Sequence, residues 1–370
     1  MNTPKIPLRR QYIRIAGRAL REGKPGWVAR QALKTLSVPV SATLGRPLAG
    51  PLLVNFLITY RCNSACFMCD WRRPRFYKGR GGAEFDTAEA RRVIDEVAAL
   101  GAVALNFTGG EPTLRDDCFA LAAHAKAAGL IVNISSNASS LVEPAAVDAL
   151  LQSRADAINL SLDGARAGTH DRLRGRPGSF VQVRRATELV LAGRRGGRPT
   201  ITYMFVVGPD NHAELPGFVA LARERGVDAV SFMPLLGIYR GHRPPSLGRI
   251  AAMEQSVAWL RRAKRTEHPD FIENSDDYLS MFGRSWRSEP STLRCFAPYA
   301  HMAIDCYGNV YPCGVWLNDD RRIGNVREAG LSAIWQSETY RTARRALAGC
   351  RACYWNCHAE ANLLYQKAGA

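Results

Sequence analysis

The sequence predicts an α/β fold: a parallel sheet wound with helices, open rather than closed, followed by a small cysteine-rich α+β module. Three observations predict it. Six apolar segments lie between residues 51 and 236, and five amphipathic stretches separate them. The alternation then stops, and six of the ten cysteines fall after residue 290.

The strands are expected at 53–60 (LVNFLITY), 103–107 (VALNF), 131–135 (IVNIS), 156–161 (DAINLS), 200–207 (TITYMFVV) and 228–234 (DAVSFMP). Helices are expected near 87–100, 116–128, 144–152, 179–192 and 212–225. Six strands joined by helical crossovers wind right-handedly and stop short of the eight that close a barrel. Residues 1–50 read as a basic, partly helical arm whose imperfect apolar stripe (Tyr12, Ile15, Ala16, Leu20, then Trp27, Val28, Ala32, Leu33) packs on the main domain. A Gly-, Pro- and Arg-rich loop after 236 marks a boundary, 237–289 is a linking helical region with a helix near 248–264, and 290–370 is expected to be a separately stabilised module.

A chain of 370 residues with 46% hydrophobic residues folds around a substantial core. Its formal charge is +17, and ten Lys or Arg fall in the first fifty residues against one acid, Glu22. Such a field attracts anionic substrates, lipid headgroups or nucleic acid, though no nucleic-acid recognition motif accompanies it. No apolar run is long enough to span a bilayer and no secretory h-region opens the chain, so a cytoplasmic protein is expected, peripheral to a membrane if the basic arm meets one. Ten cysteines in a reducing compartment point to metal ligation rather than disulfides.

Cys62, Cys66 and Cys69 follow the first strand in RCNSACFMCDW, where α/β barrels place functional residues. The C-x3-C-x2-C spacing lets three thiolates grip three corners of an iron–sulfur cubane and leaves one iron open. A zinc loop would need a fourth ligand from far along the chain. This loop, with TGGEP (108–112) after the second strand, resembles the radical SAM superfamily over about residues 51–235. The resemblance implies a partial (βα)6 barrel and a [4Fe–4S] cluster whose open iron is chelated by S-adenosylmethionine (SAM). It also implies reductive cleavage of SAM to a 5′-deoxyadenosyl radical, fed by a donor such as flavodoxin or ferredoxin. Gly109 and Gly110 then let the backbone approach the ligand, and Glu111 supplies acceptors near the SAM ammonium. Ser135, Ser136 and Asn137 after the third strand and Ser161 after the fourth resemble the family's ribose and methionine contacts. Arg174, in HDRLR, resembles the arginine that reaches SAM's carboxylate, with a plain surface arginine as the alternative, and Met68 stands where the family commonly has an aromatic residue against adenine.

Cys295, twelve residues, Gly308, four residues, Cys313, and then Cys350, Cys353 and Cys357 resemble the twitch or SPASM appendages that bind auxiliary clusters. Two full auxiliary clusters need about eight thiolates. The count therefore implies one auxiliary [4Fe–4S] cluster on Cys295, Cys313, Cys350 and Cys353, with Cys357 as a substitute or fifth cysteine, and Cys306 and Cys118 in the core. A zinc ribbon on four of these thiols stays open at this point. The expected activity is hydrogen abstraction from an anionic small-molecule or lipid-type intermediate. The alternatives are maturation of a ribosomal peptide and a non-catalytic redox protein.

Overall fold

The computed structural model describes residues 16–17, 19–69, 82–236, 245–318 and 321–368. Six parallel strands form in chain order: β1 (Leu53–Thr59), β2 (Ala104–Gly109), β3 (Ile131–Ser136), β4 (Ala157–Ser161), β5 (Thr200–Val207) and β6 (Ala229–Pro234). Each sits beside its predecessor, as short crossovers through helices require. The helices Thr87–Ala99, Cys118–Ala127, Pro144–Gln152, Ser179–Gly193 and Leu215–Glu224 are the five crossovers. A further helix not foreseen, Ala167–Arg174, ends at Gly175 in the left-handed region. One core runs through this half, with Phe56, Phe107, Ile134, Ile158, Tyr203 and Phe232 on successive strands closed off from water.

The sheet does not stop at the barrel. β7 (His301–Ile304) pairs parallel with β1, and β8 (Asn309–Tyr311) and β9 (Gly324–Asn325) follow antiparallel, giving the order β6-β5-β4-β3-β2-β1-β7-β8-β9. The expected separate module over 290–370 is therefore continuous with the barrel sheet. Side chains tie it further. Arg327 grips the Glu89 carboxylate with two 2.8 Å hydrogen bonds, and Glu96 Oε2 accepts from Leu331 N at 2.7 Å, so the helix Thr87–Ala99 serves both halves. Arg344 is fully buried with no carboxylate paired to it among the described residues; its guanidinium lies 4.1 Å from the Tyr340 ring centre and 4.5 Å from that of Trp335, and it donates to Pro298 O and Trp335 O.

The N-terminal arm contains the helix Pro25–Leu44. Its packing face differs from the one expected. Val38 and Ser41 are buried, Val38 against Phe296, Tyr299 and Tyr365, whereas Leu33 is 68% exposed in a ridge with Leu36, Val40 and Leu44. The aromatic cluster that receives the helix lies on the later half of the chain, so local periodicity alone could not choose the face. Residues Tyr12 and Ile15 of the expected stripe lie outside the described residues.

Candidate active site

The cysteine loop leaves β1 at a register shift between Leu57 and Thr59 and is clamped from two sides. From one side, Ala65 N donates to Arg174 O at 2.9 Å and Phe67 N to Leu173 O at 3.2 Å. From the other, Gly110 N donates to Thr59 O and Glu111 N to Arg61 O, each at 2.8 Å. The glycines exist for this clamp. A Cβ on Gly109 would stand 2.2 Å from Thr59 O, one on Gly110 2.1 Å from Arg61 O, and one on Gly175 2.6 Å from Ala65 O, all impossible contacts with backbone. Gly109 and Gly110 line the cavity, and a side chain on either is excluded by the backbone where β1 runs into the cysteine loop.

Glu111 is likewise turned inward. Its Oε1 accepts from Thr113 N (3.1 Å), Thr113 Oγ1 (2.6 Å) and Ser136 Oγ (2.7 Å), and Oε2 accepts from Asn137 N (2.6 Å). These bonds join the ends of β2 and β3, and burial pushes the carboxyl above its usual range against their pull. Most of its acceptor capacity is spent on protein donors, which the motif did not reveal.

Arg174 is no surface arginine. Its Nη2 lies 2.6 Å from Asp163 Oδ2, a carboxylate with no exposure, and Nη1 lies 3.7 Å from Cys66 Sγ. Asp163 Oδ1 also accepts from Val206 N at 2.7 Å, and His170 Nδ1 accepts from Asp163 N at 3.0 Å. The HDRLR segment thus works as a unit that fixes a cation against the cysteine loop. Burial pushes the Cys62 thiol up, so ligation there must displace a proton.

Cys62, Cys66, Cys69, Ser135, Ser136, Asn137, Ser161 and Arg174 all line one cavity of about 360 Å³, within the range of cofactor and ligand sites. Met68 lines it too and is 7% exposed. Its floor carries a feature not anticipated: Asn55, Asn106 and Asn133 stand in register on β1, β2 and β3. Asn133 Nδ2 donates to Asn106 Oδ1 (2.8 Å), Asn106 Nδ2 donates to Asn55 Oδ1 (3.0 Å), and Ser135 Oγ donates to Asn106 Oδ1 (3.2 Å). Asparagines repeated inside otherwise apolar strands were the available signal.

The opposite wall comes from the cysteine-rich half, through Gly314, Leu317, Trp355, Asn356 and Cys357. Cys295 and Cys313 are buried together with Cys350 packed on them. Burial pushes the Cys295 thiol up to about 11 and that of Cys313 up to about 12. Burial pushes the Cys353 thiol well above its ordinary value, and Cys313 and Cys295 add to the rise. Cys357 stands apart: desolvation opposes its ionisation, but His358 and His301 outweigh it and hold the thiol well below its ordinary value. Cys118 and Cys306 are fully buried core residues, as expected.

The three-thiol loop, the cavity beside it and the second thiol set match what family comparison finds. A radical SAM superfamily model matches residues 56–222, and the SPASM iron–sulfur cluster-binding domain matches 295–358. The mycofactocin maturase MftC of Mycolicibacterium smegmatis is 30% identical over 324 residues, covering 83% of this chain and 76% of the relative. The chain belongs to the radical SAM superfamily. It is also similar to the AdoMet-dependent heme synthase of Methanosarcina barkeri (28% identical, 82% of this chain, 91% of the relative) and to the PqqA peptide cyclase of Gluconobacter oxydans (29%, 77% and 76%). Among solved structures, Streptococcus suis SuiB bound to its precursor peptide SuiA shares the fold at a TM-score of 0.60 and 18% identity, over 93% of this chain and 84% of that one. This radical SAM chain is therefore an enzyme whose cofactors are a [4Fe–4S] cluster, SAM and auxiliary iron–sulfur in the SPASM region, which displaces the zinc ribbon. Among the described residues, no helix is long and apolar enough to cross a membrane.

Proposed function

We propose that this radical SAM enzyme acts on a ribosomally made peptide, in preference to the small anionic intermediate expected from composition. The asparagine ladder carries the reading. Side-chain amides present a paired donor and acceptor, the complement of a peptide's C=O and N–H, and Asn133 Oδ1 is buried without a hydrogen-bond partner among the described residues. A buried orphan acceptor costs about 1–3 kcal/mol, and an incoming amide N–H would remove that cost. The relative named for a peptide cyclase supports the same substrate class.

In this reading Cys62, Cys66 and Cys69 hold the catalytic cluster, and Cys295, Cys313, Cys350 and Cys353 hold the auxiliary one. When bound, cluster and SAM supply one-electron cleavage and hydrogen abstraction. Arg174 binds the SAM carboxylate from beside Cys66; Ser135, Asn137 and Ser161 offer hydroxyls and an amide to polar groups of SAM; Met68 packs on its base. Residues 51–236 form the barrel that orients both ligands, and 290–370 the wall that excludes water from them.

The experiment uses peptides encoded by short reading frames beside this gene, made with deuterated residues and incubated anaerobically with SAM and reductant. Deuterium in 5′-deoxyadenosine supports the reading. Deuterium transferred from a labelled heme precursor instead would favour a small molecule, the reading supported by the heme synthase relative. A separate observation supports contact with an anionic membrane surface: six of the nine large apolar residues exposed among the described residues are Leu20, Leu33, Leu36, Val40, Leu44 and Leu48, on or beside one helix flanked by exposed Arg21, Lys24, Arg30 and Arg46.

A further inference from the structure

We infer that His301, Cys357 and His358 form a divalent-metal site at the cavity wall, distinct from the auxiliary cluster, and that its cation is zinc. One ligating atom of each residue lies within 4.8 Å of the other two. Tetrahedral zinc with bonds of about 2.0–2.3 Å sets its ligands roughly 3.3–3.8 Å apart, so a closure of about an ångström completes the shell.

The positions are set by regular backbone. His301 opens β7, where Leu53 of β1 is its parallel partner, and Cys357 and His358 lie in the first turn of the helix Asn356–Ala368. The two imidazoles meet edge to face with centroids 4.5 Å apart. His358 Nδ1 lies 3.5 Å from Cys353 Sγ, an outer contact of the kind that fixes a metal-binding ring, and its Nε2 is buried and makes no hydrogen bond in the described residues.

Chemistry and count agree. Cys295, Cys313, Cys350 and Cys353 already supply the four thiolates of one cubane, leaving Cys357 over. One thiolate and two imidazoles form a borderline-soft set that suits zinc and excludes magnesium or calcium. Three protein ligands leave a fourth position, the arrangement of zinc sites that take an exogenous donor. Cys357 is the ligand that lines the cavity, so the cation's charge is felt by a substrate carboxylate or thiolate bound there.

The test reconstitutes the full chain anaerobically with iron and sulfide, removes loose metal by chelation, and adds Zn²⁺ alone. The expected result is about eight irons per chain, one zinc, and a zinc-edge absorption spectrum showing a mixed nitrogen and sulfur shell. Cys357→Ser and His358→Gln each weaken zinc binding at least about tenfold while iron stays at about eight; should Cys357→Ser fail to fold, His301→Gln takes its place. Iron falling to about four in Cys357→Ser makes Cys357 a cluster ligand and overturns the inference. So does an all-sulfur zinc shell, or wild-type protein with filled clusters that retains no zinc.

Discussion

Asp163→Asn is the substitution that probes the site most directly. The native carboxylate has no exposure, Arg174 is 13% exposed, and 2.6 Å separates Oδ2 from Nη2. An asparagine can still accept from Val206 N, but its Nδ2 then faces the guanidinium, donor against donor. Removing one partner of a buried pair costs about 3–5 kcal/mol, because the remaining charge stays desolvated. At about 1.4 kcal/mol per factor of ten, the folding constant falls roughly 150- to 4,000-fold. With a denaturant slope of about 3 kcal/mol per molar, the urea midpoint drops by roughly 1–1.7 M. Unfolding followed by tryptophan fluorescence reads this, and Asp163→Asn/Arg174→Gln completes a double-mutant cycle that isolates the pair. SAM affinity should fall in step, since the guanidinium loses the partner that holds it beside Cys66. A single-mutant cost under about 1 kcal/mol, together with a coupling energy near zero, would refute the claim that Asp163 fixes this cation.

Other consequences are equally concrete. His170 is buried and neutral in the folded chain, its pKa lowered to about 3 by desolvation and by Arg174. Unfolded chains therefore bind more protons between about pH 6.5 and 3, so stability is full above that window and falls by about 1.4 kcal/mol per unit as pH drops through it; His170→Asn should flatten this slope, and an unchanged acid limb would count against it. Glu111→Gln sets an amide donor against donors that both carboxylate oxygens now receive, costing about 1–3 kcal/mol in thermal or urea unfolding, and a neutral result would mean the ends of β2 and β3 are held by other bonds. Vesicles rich in phosphatidylserine should sediment the protein at low salt, and both high salt and the pair Leu33→Ser/Leu36→Ser should release it. Binding indifferent to salt would remove charge from that account.

Much of the barrel was legible because its signals are local. Thr200–Val207 and Pro144–Gln152 match their expected spans, one as a continuous apolar run and the other with a proline opening the helix. The stretch 212–225 divides into a 3₁₀ turn, His212–Glu214, and a helix that Pro216 helps to start. Strands β7 to β9 were not foreseen, since four, three and two residues are too few to show alternation and their pairing is decided by distant partners. The cysteine loop over 62–69 was legible in its spacing and SSN, Ser161 and Arg174 through the family resemblance, and the structure brings them to one cavity. The protein contacts of Gly109, Gly110 and Glu111 were not legible, because a motif names residue types without naming the neighbouring loop and strand they also touch. The pairings of Asp163 with Arg174 and of His301 with His358 were hidden for a different reason: the partners lie 11 and 57 positions apart along the chain.

The pairing of β7 with β1 has a mechanical consequence. Four aligned residue pairs, from Leu53 with His301 to Phe56 with Ile304, bolt the strand that launches Cys62 to the one that leads toward Cys313. The gap across which an electron would pass is thereby set by main-chain ladder geometry, and swinging one half of the molecule away from the other would first have to unzip a sheet from its middle.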